Sequence, residues 1–193
     1  MHQRSDKNSH LDTILYEIDM QRHCAATVGQ KQADEHKSEF ARSEYYLTIE
    51  GFLQHLRNLL AFFTNRKDED SDLIINEPEV WAGQPVEQFD YSALIKAFKE
   101  FNRRHGVTVN GQPNDCYTEI SKFLNHCTTH RYERAKPWPV DQMNADLKPV
   151  LAEFESRFAN NVKRTDRKQE ILGVRDNSTA TFRTLPALFD VDK

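Results

Sequence analysis

From Ser38 to Asn65 the residues Tyr45, Ile49, Phe52, Leu56, Leu59 and Phe63 recur at alternating steps of four and three. A stripe with that period is buried only if the segment is an α-helix laid against other helices. It predicts a long central helix and sets the class of the whole chain. The period returns four more times. Leu11, Ile14, Leu15 and Ile18 mark a helix from His10 to about Lys31, with Ser9 as its N-cap and Gly29 loosening or ending it. Leu94, Ile95, Phe98 and Phe101 mark one from Tyr91 to His105, capped by Asp90 and stopped by Gly106. A fourth starts near Asn114 or Asp115 and carries Tyr117, Ile120, Phe123 and Leu124. The fifth runs from about Asp141 to Asn160 with Met143, Leu147, Val150, Leu151, Phe154 and Phe158, and Pro149 should kink it or remove one backbone bond. Trp138, between Pro137 and Pro139, reads as a rigid plug at the corner before it.

Between the second and third helices the pattern breaks. Asn65 to Asp72 is a charge run and reads as a solvated loop. Leu73 to Phe89 is apolar but interrupted by Pro78, Gly83 and Pro85. It reads as an ordered non-helical excursion over the bundle, because Ile74, Ile75, Val80 and Trp81 are costly to leave in water. The segment Val107 to Pro113 contains an Asn-Gly turn signal, yet no second alternating run follows, so no hairpin is expected. The expected fold is all-α: a bundle of about five helices with that excursion between helices 2 and 3, over residues 1–160. The basic, weakly periodic tail at 161–193 either docks through Phe182, Leu185, Leu188 and Phe189 or stays mobile.

Composition narrows the class of function. A chain of 193 residues with 38% apolar and 29% charged residues suits one globular domain. No apolar run approaches the roughly 20 residues of a membrane span, and no apolar leader opens the chain. Cys24, Cys116 and Cys127 lack CxxC spacing, which points to reduced thiols in a cytoplasm. A net charge of -4 provides no global basic field for nucleic acid and leaves only a local patch to supply one.

The chemistry-bearing types gather in Ile120 to Val140. On a helical wheel His126 and His130 fall together at the edge of the apolar arc, while Arg131 and Arg134 fall inside it. An unpaired buried charge costs several kcal/mol, so these arginines require carboxylates, cap carbonyls or a ligand. On the second helix Tyr46, Glu50 and Arg57 line the border of the stripe. Packing the two helices brings Glu50 towards Arg131 or Arg134 and Arg57 towards His126. Three readings follow. The cluster is a structural polar network, with Cys127 as a small hydrophobe. Or it handles RNA or phosphate, histidine moving protons and arginine gripping phosphoryl oxygens. Or His126 and His130, at i and i+4, hold a metal with Glu50 or Asp19. The Glu of an HExxH is missing, so no metal and no cofactor is assigned. The run His55 to Leu60, with His55, Arg57 and Asn58, reads on its own as a helix with a wet outer face. Phosphate-loop, GxSxG and CxxC signatures do not occur.

Ile120, Lys122, Leu124, His126, Thr128 and Arg131, followed by Lys136, Pro137, Trp138, Leu151 and Phe154, resemble a group of uncharacterised bacterial proteins. The second helix, with Leu56-Arg57-Asn58-Leu59-Leu60, is similar to the Arg-Asn helix of HEPN domains, compact helical bundles of bacterial toxin-antitoxin and phage-defence systems. That resemblance implies metal-independent RNA cleavage by an arginine and a histidine, or a binding module that has lost it, and often a homodimer. The HEPN pattern places the histidine after the arginine on one helix, where this chain has Phe62, Phe63 and Thr64. The pair would therefore be Arg57 with His126 or His130 from another helix. The expected site is thus His126, His130, Arg131, Arg57 and Glu50, with RNA as partner and no membrane. A homodimer would form through an exposed Trp or Phe of the excursion. A non-catalytic scaffold or protein-interaction module is the alternative.

Overall fold

The computed structural model describes residues 8–70, 72–82, 90–109, 112–125 and 138–158. Five long helices make the bundle among them: α1 (Asn8–Asp34), α2 (Glu39–Phe63), α4 (Ser92–Arg104), α5 (Cys116–Asn125) and α6 (Val140–Phe158). The excursion contributes a single-turn helix, α3 (Pro78–Trp81), so it is not wholly non-helical. Proline at its first turn suits a position whose N–H has no helical acceptor. The chain is all-α, as its periodicity predicts. The tail at 161–193 lies outside the described residues.

The core sits where the apolar stripes converge. Leu11, Ile14, Leu15 and Ile18 of α1 are buried, as are Phe52, Leu56, Leu59 and Phe63 of α2 and Met143, Leu147, Leu151, Phe154 and Phe158 of α6. An aromatic knot ties the C-terminal half of α2 to its neighbours. Phe63 stacks on Phe98 of α4 at 4.0 Å between ring centroids and meets Phe154 of α6 edge-on at 5.1 Å. Trp81 is fully buried against Phe62, Phe154 and Phe158, and its indole N–H reaches the Ile75 carbonyl at 3.4 Å. Trp81 is thus a buried plug, while Phe89, the excursion's phenylalanine, lies outside the described residues. Val80 departs from expectation, pointing outward because its neighbour Trp81 takes the inward position of the single turn.

Helix ends follow local chemistry. Ser38 caps α2 by accepting the Ala41 N–H at 3.0 Å, Asp90 accepts that of Ser92 at 2.8 Å ahead of α4, and Asp115 accepts that of Thr118 at 2.7 Å ahead of α5. Two expectations fail. Helical backbone already begins at Asn8, so Ser9 is not a flanking cap, and α1 continues through Gly29 to Asp34. The continuation is held by α2, whose packing along α1 outweighs the roughly 1 kcal/mol that one helical glycine costs. Gly51 permits that packing, since a Cβ there would lie 3.1 Å from Cys24 Sγ.

The hairpin discounted from the sequence forms. Strand β1 (Val107–Val109) pairs antiparallel with β2 (Gln112–Asn114), Val107 opposite Asn114 and Val109 opposite Gln112. Three pairs need no long alternating pattern when both ends are anchored by helices. Gly106 admits the close approach, because a Cβ on it would sit 2.2 Å from the Asn114 carbonyl oxygen. Trp138 packs edge-on to Phe123 at 5.8 Å, in the corner role its prolines suggest. No described helix is long and apolar enough to cross a membrane.

Candidate functional site

The site begins with how α2 ends. Thr64 closes the helix, and Asn65 takes a left-handed backbone, φ 58°, that asparagine tolerates better than most residues. The Asn65 N–H donates to the Phe62 carbonyl at 3.4 Å and the Arg66 N–H to that of Ala61 at 2.9 Å. This is the paired bonding of a Schellman motif, and it reverses the chain. The Asn65 side chain then accepts the Asn76 N–H at 3.1 Å, closing the loop at its far end. Within the loop, one Asp72 carboxylate oxygen accepts the amides of Asp68 and Glu69, both at 2.9 Å. The charge run is a loop with residues 67–70 exposed, as read from the sequence, and Asp72 folds it on itself.

That turn lies against α5, which runs antiparallel to α2. Tyr117 is the junction. Its hydroxyl donates to Asp68 Oδ2 at 2.8 Å and accepts from Arg57 Nη2 at 3.0 Å. Its ring lies between two guanidinium groups, Arg66 at 4.1 Å and Arg57 at 4.9 Å from the centroid. Arg57 also donates from Nε to Ser121 Oγ at 2.9 Å, and Arg66 faces Asp115 at 3.7 Å. Burial, aided by the bond to Asp68, pushes the Tyr117 phenol above its ordinary range against the pull of the two arginines. Burial also pushes Asp115 up, but its bonds from Thr118, the Arg66 charge and Asn102 leave it lowered overall.

On the α1 side Glu17 collects two groups from α2. Its Oε2 lies 2.8 Å from His55 Nδ1 and accepts from Asn58 Nδ2 at 3.0 Å. The wet outer face expected of His55 and Asn58 is therefore a mostly buried contact, with His55 edge-on to Tyr16 at 5.7 Å. α1 covers this face of α2, which the wheel of α2 alone does not reveal. Between the Glu17 cluster and the Tyr117 junction opens a cleft of about 570 Å³, lined by Glu17, Arg57, Asn58, Asp68, Asp72 and Tyr117, with His10 and Glu69 also on its wall.

Of the residues named from the sequence, Arg57 lies in this cleft and does reach α5, where its described partners are Tyr117 and Ser121. Glu50 is half-buried two turns earlier on α2 and is not among the cleft's lining residues. His126, His130 and Arg131, with Cys127 and Arg134, lie outside the described residues, as do their contacts. Cys24 is buried and its thiol is pushed up by that burial, which suits an inert side chain. Among the described residues no three metal-ligating side chains converge.

Sequence reasoning overlooked Glu17, Asp68, Asp72 and Tyr117 as members of a polar site. Tyr117 was legible only as core, because a wheel shows where a ring points and not what its hydroxyl meets. No family model, no curated protein and no solved structure matches the chain.

Proposed function

We propose that the protein is a non-catalytic binding module that receives a positively charged partner segment in this cleft. The observation that carries the reading is the balance of charge: Glu17, Asp68, Glu69 and Asp72 line it against Arg57 and His10. Arg57 acts there as a strut, two of its nitrogens engaged by Ser121 and Tyr117. A polyanion would meet four carboxylates along an open cleft, with Asp68 and Glu69 exposed at its surface. A lysine- or arginine-bearing peptide meets the opposite field.

One observation favours RNA as a second reading. Both described hydrogen-bond partners of Arg57 are neutral hydroxyls, and it makes no ion pair within 4 Å among the described residues. Its charge is therefore open to a phosphate approaching along α5; the HEPN resemblance would pair it with His126 or His130, which lie outside the described residues. The two readings part in one titration. A lysine-rich peptide should bind with an affinity that falls as salt rises, and Glu69→Lys should weaken it at least several-fold with the fold intact. RNA binding or cleavage by the wild-type chain, lost in Arg57→Ala with helicity retained, would replace the first reading with the second.

A further inference from the structure

Glu17 differs from the loop carboxylates that share the cleft with it. Its side chain is 16% exposed, whereas Asp68 and Glu69 stand exposed at the surface. Its Oε2 is already engaged, 2.8 Å from His55 Nδ1 and accepting from Asn58 Nδ2 at 3.0 Å. Its Oε1 accepts no hydrogen bond among the described residues. His55 is the one ion-pair partner within 4 Å among those residues, and an imidazole compensates the charge only while it is protonated. A carboxylate so far withdrawn from water, with no lysine or arginine beside it, is costly unless a cation reaches its second oxygen.

Taking the cleft as a cation site, on which this step rests, we infer that the group it reads is a primary alkylammonium, that of a lysine side chain. Glu17 selects it over the guanidinium of arginine. Arginine owes its usual advantage to two contacts, a grip on both oxygens of one carboxylate and stacking on an aromatic face. The cleft withholds both. Glu17 has one oxygen left to offer, because His55 and Asn58 hold the other. Asp68 and Asp72 are alike, since Oδ2 of Asp68 takes the Tyr117 hydroxyl and Oδ2 of Asp72 takes two backbone amides. The Tyr117 ring already lies between Arg66 and Arg57, and Phe62, also on the wall, is 4% exposed within the aromatic knot. An ammonium needs neither contact. It is a compact charge whose N–H groups each reach a single oxygen, and its aliphatic stem suits the Ile14, Leu59 and Leu73 side chains of the wall. Asn58 is a positioning residue here, fixing the carboxylate by one oxygen so that the other is presented alone.

Titration calorimetry on the full chain at constant ionic strength tests it, with acetylated, amidated hexalysine and hexaarginine as probes of equal charge. Hexalysine should bind about tenfold more tightly or better. The trimethyllysine hexamer keeps the charge and the stem but has no N–H to donate, so it should bind no better than hexaarginine. Glu17→Gln should bring the affinities for hexalysine and hexaarginine together with an unchanged helical spectrum, and Asn58→Ala should narrow the gap by a smaller factor. Asp68→Asn, at the exposed rim, should weaken both peptides alike and leave their ratio standing. Spermine, a free polyamine with the same end groups, should bind more weakly than hexalysine; tighter binding would move the ligand from a protein segment to a small amine and overturn the assignment to lysine. Hexaarginine binding as tightly as hexalysine to the wild-type chain would overturn the inference and leave the cleft reading in place. So would a preference that survives Glu17→Gln, or full binding of the trimethylated peptide. Failure of every cationic probe to bind would remove the cleft reading and this inference with it.

Discussion

Phe63 and Phe40 sit on the same helix, and one is fully buried while the other is 74% exposed. The C-terminal half of α2 is surrounded by α1, α4, α5, α6 and the excursion, whereas the N-terminal half has α1 as its described helical neighbour. An apolar residue becomes core when several elements reach it; with one neighbour its outward side stays in water. The polar residues show the same division. At the crowded end Arg57 and Tyr117 brace a loop, and at the open end Glu39 and Arg42 face solvent.

The largest expected contrast is between two truncations of the same residue type. Phe63→Ala should lower unfolding stability by about 3–5 kcal/mol in urea, because it removes the ring shared with Phe98 and Phe154. Phe40→Ala should change it by within about 0.5 kcal/mol. Equal losses would erase the distinction between the halves. A smaller effect sharpens it at the crowded end. Tyr117→Phe deletes the hydroxyl joining Arg57 to Asp68 and should cost about 1–3 kcal/mol. Faster proteolysis within residues 66–72 should accompany the loss, and a loop as resistant as the wild type would show that Tyr117 is not its anchor.

Smaller again is a dependence on alkaline pH. Burial, the largest influence on each, holds the Tyr16, Tyr91 and Tyr117 phenols above their ordinary value of 10.0. Below pH 10 both folded and unfolded chains keep these protons. Above it the unfolded chain releases them first, so stability is full below pH 10 and declines as pH rises through the folded-state values. Thermal melting at pH 8 and pH 10.5 should show the decline, and Tyr117→Phe should make it shallower. At the open end Lys31→Ala should cost under about 1 kcal/mol, since its bridge to Glu44 is exposed.

How much was legible beforehand follows from range along the chain. Helices repeat their signal every turn, so all five long ones are found from Leu11, Phe52, Phe98, Ile120 and Phe154 and their periodic neighbours. The hairpin has three residues per strand, too few for an alternating pattern to confirm its Asn-Gly turn signal, and Gly106 fits under Asn114, a contact between positions eight apart. Arg57 was identifiable because a cation on the border of an apolar stripe needs a partner. Which hydroxyls answer it depends on the register between α2 and α5, and no wheel supplies that. Glu17, Asp68 and Asp72 look like ordinary surface acids until the packing of α1 and the reversal at Asn65 set them around one cleft.

Amide hydrogen exchange along α2 tests the division of the helix most directly. The expected result is slow exchange near the global unfolding limit for residues 52–63 and faster exchange for residues 40–48. Uniform protection along the helix, or a protected N-terminal half beside an open C-terminal one, would contradict it.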